Sequence, residues 1–341
     1  MKTFRCMIGL IGMALGAPMV FGDVAQESSA SGCGQDKNMG LGYLTAPSLS
    51  PGHILRPSSI FLLPNCSRKD SLDLSVDVQW ANVFCYKPDQ FLIDGEWVRS
   101  SARLQYGVSD PVSVGILVPV MGRTGGFADS SIEKFHETFN MGTTDRDQFP
   151  RNECIGWIAS NGSTQNVVRG DSWGIGDLAL YAVVKRPGSE TLPSVTLQFQ
   201  VSLPTGNEDQ LEGLGASSLS VSAVTSKRLW ASHLIVFGGA GFFYCPNHEL
   251  AGIELYRTEY SLLLGVAYEY SRSLSFVIQE LSSSPVAREY YEFSESSNEL
   301  SVGVKWRVGD SAILEFAVME NLFTADNSAD IGAHIAVMRR L

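Results

Sequence analysis

The sequence lacks the long apolar run that a membrane-spanning helix requires, apart from its first 22 residues. Such a helix needs about 20 consecutive apolar residues, and no later segment approaches that length. A helical membrane protein is therefore excluded. A transmembrane β-barrel stays compatible with this absence, because its strands alternate polar and apolar residues and their hydropathy averages out.

The sequence also lacks recognisable metal and nucleotide sites. No two cysteines have the C-x2-4-C spacing of structural zinc sites, and no phosphate-binding loop or dinucleotide-binding glycine motif occurs. The net charge of −11 argues against nucleic acid or an anionic membrane surface as the main partner. We predict no metal, no cofactor and no nucleic-acid partner.

The first 22 residues have the pattern of a secretory signal peptide. Lys2 and Arg5 precede an apolar run over residues 7–15, and small residues follow up to Gly22. The alternative is an uncleaved anchor helix, which Pro18 would interrupt early. We therefore predict that residues 1–22 are removed and that the mature chain is exported through the inner membrane.

The mature chain retains an odd number of cysteines. An exported protein can form disulfides, but the spacing of these residues does not determine which of them pair. The five are Cys33, Cys66, Cys85, Cys154 and Cys245.

Apolar and polar residues alternate without a break over residues 71–80, which read SLDLSVDVQW. Successive side chains of a strand point to opposite faces of its sheet, so one face is apolar and the other is polar. In a soluble sandwich these faces would meet core and solvent, whereas in a membrane barrel they would meet lipid and lumen. One strand does not distinguish the two folds.

The whole set of strands does distinguish them. We count about twelve alternating runs after residue 70, most near the length of about 9–11 residues that a tilted strand needs to cross a bilayer. Tight connections follow the even strands and longer ones follow the odd strands, as in outer-membrane barrels with short periplasmic turns and long extracellular loops. The predicted fold is all-β: an antiparallel up-and-down transmembrane barrel over residues 70–341, located in the outer membrane.

One long outer connection, at about residues 122–173, contains the stretch DSSIEKFHETF. Ser130 and Glu133 form a capping box, which predicts a short amphipathic helix over residues 130–140. The residues on its apolar face are Ile132, Phe135, His136 and Phe139.

The same stretch admits a catalytic interpretation, in which Asp129 and a serine act with His136 in a surface lipid hydrolase. A helix cap accounts fully for residues so close in sequence, and catalytic triads usually assemble from distant segments. We therefore predict no catalytic residues.

Charged residues on the polar faces of the strands are candidates to line the lumen. Opposite charges on neighbouring strands either stabilise the wall as ion pairs or form a ladder that selects solutes, and the sequence leaves both open. The candidates are Asp73, Asp77, Arg99, Arg103, Lys305, Arg307, Glu315 and His334.

Residues 23–69 precede the first strand and are too long for a simple linker. They carry apolar clusters, which favour a docked segment over a free one. Two placements remain: a plug inside the barrel, or a periplasmic arm that binds a partner.

Several motifs, taken in order along the chain, resemble a known family. They are GYLTAPSLSP, SVDVQWANVF, FLIDGE, GGFADSSIEKFHETF, and GIGDLALYAVVKRPG followed by VSLPTGNEDQLEGLGASS. Together, from about residue 42 to the C-terminus, they resemble the uncharacterised bacterial family numbered 3187 among the domains of unknown function. The resemblance implies an outer-membrane β-barrel and no particular substrate. GIGDLAL and LPTGN are also similar to barrels that import aromatic hydrocarbons.

The functional prediction is a monomeric barrel that acts as a narrow passive channel or uptake protein for a small or hydrophobic solute. Its expected partners are outer-membrane lipid and, during biogenesis, the barrel-assembly machinery. The alternative is a closed structural or surface-interaction barrel that acts through its outer loops. The barrel-embedded lipid hydrolase is the third hypothesis.

Overall fold

The structure is a computed structural model that describes residues 41–54, 68–139, 146–160, 163–189, 191–229, 233–250, 253–288, 290–309, 311–321 and 329–341. The predicted signal peptide, Cys33 and Cys66 lie outside the described residues. The helices are α1 (Pro51–Ile54) and α2 (Asp129–Phe139). Short 3-10 helices span Arg146–Gln148, Glu208–Gln210 and Tyr291–Ser294.

Most of the described chain is strand. The strands are β1 (Leu72–Lys87), β2 (Phe91–Ser109), β3 (Val112–Thr124), β4 (Ile155–Ser160), β5 (Ser163–Arg169), β6 (Ser172–Ile175), β7 (Ala179–Arg186), β8 (Ser194–Ser202), β9 (Ser218–Arg228), β10 (Leu234–Tyr244), β11 (Glu249–Leu250), β12 (Ile253–Glu254), β13 (Thr258–Glu269), β14 (Leu274–Ser283), β15 (Ser297–Val308), β16 (Ala312–Asn321) and β17 (Ile331–Arg340).

The sheet closes into a ring of twelve antiparallel strands, which confirms the predicted fold. The order around the ring is β1, β2, β3, β7, β8, β9, β10, β13, β14, β15, β16 and β17. The last strand pairs with the first along ten residue pairs, from Asp73 opposite Arg340 to Asn82 opposite Ile331. Closure leaves no unpaired edge in the ring, which a strand-built protein needs in a bilayer.

The two faces of the wall differ as the alternation predicts. On β13, Leu262 and Leu264 point outward and are 49% and 53% exposed, whereas Leu263 points inward and is 1% exposed. The same pattern repeats around the ring, where the outward residues are mostly apolar. Such an apolar outer belt is the surface that a barrel presents to lipid.

The sequence predicts long connections after the odd strands, and one outer connection does not follow this rule. β1 and β2 continue as a paired ribbon well past the neighbouring strands, so the first outer connection is only the turn over residues 88–90. This first connection is therefore short, although it follows an odd strand and the sequence predicts a long one. The outer ends of β1 and β2, residues 81–87 and 91–97, pair with each other across the turn, and β4 of the next outer loop pairs with β2.

One inner connection begins later than the alternation suggests. Clean alternation in β9 ends at Thr225, which predicts a turn at Lys227 and Arg228, but the strand runs on through Arg228 and β10 begins at Leu234. Lys227 and Arg228 remain in the β9–β10 ladder, opposite Val236 and Ile235.

The long outer connection contains α2 and the β4–β5 hairpin, which extends the sheet from β2. β6 pairs with the outer half of β3, and β7 pairs with its inner half. No helix in the described part of the chain is both long and apolar enough to cross a bilayer.

Candidate functional site: the barrel lumen and its outer mouth

Residues 41–54, which we call the lumen segment, lie inside the barrel. Leu41, Leu44 and Ser50 are fully buried, and His53 is 2% exposed. The segment contacts inward-facing side chains of distant strands: the Thr45 hydroxyl oxygen lies 3.3 Å from Nε2 of His334, 289 positions away in the sequence. This part of residues 23–69 therefore occupies the lumen, whereas residues 55–67 lie outside the described ones.

The centre of the lumen segment is held by one carboxylate. Glu315 Oε2 accepts hydrogen bonds from the backbone amide of Thr45 at 2.9 Å and from its hydroxyl at 2.8 Å. The other oxygen, Oε1, lies 2.6 Å from Nζ of Lys305, on the neighbouring strand. Lys305 in turn donates to the backbone oxygen of Tyr43 at 2.6 Å. His334 completes the group, with Nε2 3.5 Å from Glu315 Oε2.

Further contacts hold both sides of this centre. Gln279 Oε1 accepts from the amide of Leu44 at 2.9 Å, and Glu299 Oε1 accepts from the amide of Leu49 at 2.8 Å. The strands around the segment thus supply acceptors for the backbone N–H groups of a chain that has no strand partner of its own. Buried backbone donors need such partners, because an unpaired one is costly.

The outer end of the lumen segment is the single-turn helix α1. His53 Nδ1 lies 2.7 Å from Ser50 Oγ, and Nε2 lies 3.7 Å from the Glu259 carboxylate. The last residues of the segment are therefore also held from inside the barrel.

Five of the eight predicted lumen residues form two groups. Lys305, Glu315 and His334 bind the lumen segment as described above. Asp77 and Arg103 instead pair with each other, at 2.8 Å on β1 and β2, and both are buried.

The rest of the predicted set lines the wall near this pair or the inner rim. Asp73 pairs with Arg340 at 2.9 Å. Arg99 is buried and lies opposite Gln79 in the β1–β2 ladder. Arg307 is half-buried near the inner end of β15, opposite Ile313.

The inward face of β8 and of the first part of β9 is polar but uncharged. Its inward residues include Gln198, Gln200, Ser220 and Ser222, all buried. Within the described part of the chain, no hydrogen-bond partner is present for Tyr181 Oη, Gln198 Oε1 or Gln200 Oε1. Buried polar atoms of this kind are normally satisfied by ordered water. This side of the lumen is chemically suited to water or a polar solute.

Arg146 organises the outer loop, and no sequence pattern pointed to it. Its guanidinium pairs with Asp129 at 2.9 Å and Asp330 at 2.5 Å, lies 3.7 Å from Asp94, and donates to Asn82 Oδ1 at 2.7 Å. These partners come from four distant segments, so no local pattern could reveal the cluster. It fastens the long outer loop to the β1–β2 ribbon.

Burial changes the proton affinity of one carboxyl in this cluster. Asp94 lies on the part of the ribbon that protrudes beyond the lipid-facing belt, and burial raises its pKa to about 7 despite the nearby charge of Arg146.

The start of α2 is fixed by Glu96. Its Oε1 accepts from the amides of Phe127 and Ala128, both at 2.7 Å, and its Oε2 accepts from Trp80 Nε1 at 2.7 Å. A carboxylate at a helix start is favoured by the unpaired amides and the helix dipole.

The predicted residues of α2 can be placed only in part. Ile132 is buried, whereas the side chains of Phe135, His136 and Phe139 lie outside what the structure describes. Asp129 uses Oδ1 for Arg146 and Asn82, and Oδ2 for the amide of Asn152. Its carboxylate is therefore occupied by structural contacts.

An apolar cavity of about 80 Å³ lies at the outer mouth, above the lumen segment. Its lining comes from the lumen segment, β2, the β4–β5 hairpin and three outer loops. Members that the sequence reasoning missed are Trp97, Ile158, Ile253, Val286 and Phe293.

Metal-binding clusters and cysteines add no further site. Among the residues that the structure describes, no group of three or more His, Cys, Asp or Glu side chains is placed to hold a metal ion. Cys85, Cys154 and Cys245 are buried.

Comparison with known proteins gives a family and a fold. Residues 24–341 match the family described as "Protein of unknown function (DUF3187)", and no curated protein sequence matches the chain. Among solved structures, the chain is similar to the COG4313 outer membrane channel from Pseudomonas putida F1, at 14% identity and a TM-score of 0.57, covering 80% of this chain and 96% of that one.

Weaker similarities link the chain to two further barrels. The transport unit of the autotransporter AIDA-I from Escherichia coli has 7% identity and a TM-score of 0.46, covering 84% of this chain and 95% of that one. The CymD monoaromatic hydrocarbon channel has 10% identity and a TM-score of 0.39, covering 89% and 94%. The similarity to the Pseudomonas putida structure shows that the fold is that of an outer-membrane barrel.

Proposed function

We propose, from the premise that the chain belongs to the family "Protein of unknown function (DUF3187)", that it is a narrow outer-membrane channel or uptake barrel for a small or hydrophobic solute. In this proposal the lumen segment acts as a plug that closes the barrel at rest. The observation that carries it is the way in which Glu299, Lys305 and Glu315 hold the backbone of the segment.

These contacts favour a segment that can move. Hydrogen bonds to the segment can be exchanged for hydrogen bonds to water, so the net cost of releasing each one is modest, at about 0.5–3 kcal/mol. A purely structural barrel would fill a narrow lumen with side chains of its own wall. This lumen is filled by a segment that is not part of the wall.

The uncharged wall supports a path beside or in place of the segment. Gln198, Gln200 and Tyr181 present polar atoms without a protein partner among the described residues, on the β7–β8 wall. A hydrated strip there would carry water or a small solute once the segment shifts. The Pseudomonas putida protein of the same fold is described as an outer membrane channel, which is compatible with the proposal.

The test is single-channel conductance in planar bilayers. The mature protein, residues 23–341, is compared with a version that lacks residues 23–69, and a change in gel mobility on heating verifies that both have folded. We expect rare or small current steps from the mature protein and frequent, larger ones from the truncated version. Silence from both folded proteins would refute the channel.

That silence would favour the second candidate, a closed barrel that acts through its outer loops. Its supporting observation is the Arg146 cluster, which gives the outer loop a defined arrangement against Asp94, Asp129 and Asp330. A loop held this firmly is suited to recognition by a partner. The monomeric state and outer-membrane placement belong to both candidates.

A further inference from the structure

The apolar cavity at the outer mouth is bounded below by the lumen segment. Pro51 and Gly52, at the start of α1, form part of its floor, and Trp97, Ile253 and Phe293 form part of its walls. These three wall residues are each 8% exposed. The cavity therefore stands between the outer loops and the segment that fills the lumen.

The chemistry of the lining selects an apolar occupant. Its polar members, Glu208, Asn247 and Glu249, lie at the rim, where both glutamates are exposed. Asn247 Nδ2 donates to Glu208 Oε1 and to the backbone oxygen of Leu214, both at 2.8 Å. An enclosed apolar cavity of about 150 Å³ stays dry and binds xenon or benzene. The present cavity is about 80 Å³ and is not fully enclosed, so a single ring bound in it would extend toward the rim. A charged solute would lose its hydration here without gaining partners.

The floor of the cavity is in direct contact with its wall. A Cβ atom at Gly52 would lie 2.9 Å from Cγ2 of Val286, so the glycine lets α1 approach the loop between β14 and β15 closely. Immediately beyond Gly52, His53 lies 3.7 Å from Glu259. An occupant of the cavity would touch the same turn that ties the outer end of the lumen segment to the barrel.

We infer that this cavity is a binding site for a small uncharged apolar molecule, of the size of a single aromatic ring or less. The inference rests on the proposed function for its role, because a solute bound there would be the first to meet the plug. Binding of a ligand to the cavity, however, can be measured independently of channel conductance.

The test uses the full mature chain refolded in detergent and fluorobenzene as the probe. The linewidth of its ¹⁹F resonance is measured as protein is added at constant detergent concentration, which corrects for partitioning into micelles. We expect saturable broadening with the native sequence. Fluorobenzoate, whose carboxylate the cavity does not accommodate, is expected to show none.

The decisive variant is Ala287→Leu, which adds three carbons to the lining of the cavity. It is matched by Ala182→Leu, the same change on the lipid-facing side of β7. We expect Ala287→Leu to weaken fluorobenzene binding about tenfold or more, since filling a pocket excludes its ligand, and Ala182→Leu to leave it unchanged. Val167→Phe, also in the lining, replaces Ala287→Leu if the latter does not fold.

Equal broadening in the native, cavity-filled and control proteins would overturn the inference, because binding would then be elsewhere. The conductance experiment separates the two proposals. Saturable, cavity-dependent binding without current would retain the site and refute the channel. Current without such binding would retain the channel and refute the site.

Discussion

Glu315 Oε2 accepts two hydrogen bonds from Thr45, one from the backbone amide at 2.9 Å and one from the hydroxyl at 2.8 Å. The two residues are 270 positions apart in the sequence. The donor belongs to the lumen segment and the acceptor to the wall. The strength of this contact therefore contributes directly to how tightly the segment is bound inside the barrel.

Thr45→Val should loosen the lumen segment while leaving the wall intact. It removes the hydroxyl donor but keeps the side-chain shape, and a hydrogen bond to a charged group contributes about 1.5–3 kcal/mol. We expect more frequent channel openings in planar bilayers. Thr225→Val, an exposed threonine that bonds a wall carbonyl, serves as the control. Unchanged opening frequency in Thr45→Val would show that this contact does not hold the plug.

Lys305→Met should destabilise the barrel, because it leaves the buried carboxylate of Glu315 without its cation. Breaking a buried pair from one side costs about 3–5 kcal/mol. Adding Glu315→Gln removes the uncompensated charge, so the double variant should recover much of the loss. Urea unfolding in detergent, followed by gel mobility, gives the free energies of unfolding. A double variant as unstable as the sum of both single variants would contradict the pairing.

Arg146→Ala should release the outer loop without unfolding the barrel. It leaves the carboxylates of Asp94, Asp129 and Asp330 close together without their shared cation. We expect protease cleavage within residues 125–171 to accelerate, while the heat-dependent gel shift is retained. The control is Arg151→Ala, which breaks the exposed pair with Glu133 and should cost less than about 1 kcal/mol. Equal rates of protease cleavage in the two variants would show that Arg146 does not hold the outer loop in place.

Gly126→Ala should disturb the start of α2. Gly126 has φ +74°, and an added Cβ would overlap the Glu96 carboxyl that caps the helix. Gly170→Ala is the matched control, because Gly170 has φ +71° with open space around its Cβ position. Each variant pays about 1–2 kcal/mol for the left-handed backbone, and only Gly126→Ala adds the clash. If protease cleaves Gly126→Ala and Gly170→Ala at the same rate, an added Cβ at position 126 does not displace the Glu96 carboxyl.

Cys154 should react slowly with iodoacetamide at neutral pH. Burial raises the pKa of its thiol to about 11, and only the thiolate is the nucleophile. The thiolate fraction, and with it the alkylation rate, should therefore rise about tenfold per pH unit up to that value. Mass spectrometry of the Cys154 peptide, with free cysteine as reference, measures the rate. Alkylation as fast as free cysteine at pH 7 would contradict this environment.

The outer loop shows the limits of sequence reasoning. The capping pattern at Ser130 and Glu133 indicates where a helix forms, because capping depends on near neighbours. It does not indicate what Asp129 binds. The partners of that carboxylate, Arg146 and Asn82, come from outside the helix and are brought to it only by the closed barrel.

Alternation along the chain was enough to predict a barrel of about twelve strands and the two faces of the strands that alternate cleanly, because strand periodicity is local and repeats. Which lumen charges bind each other, and which bind the lumen segment, depends on the folded barrel. Asp77 meets Arg103 and Glu315 meets Thr45 through strand register and barrel closure. Both depend on pairings between distant residues, which alternation along one strand does not encode.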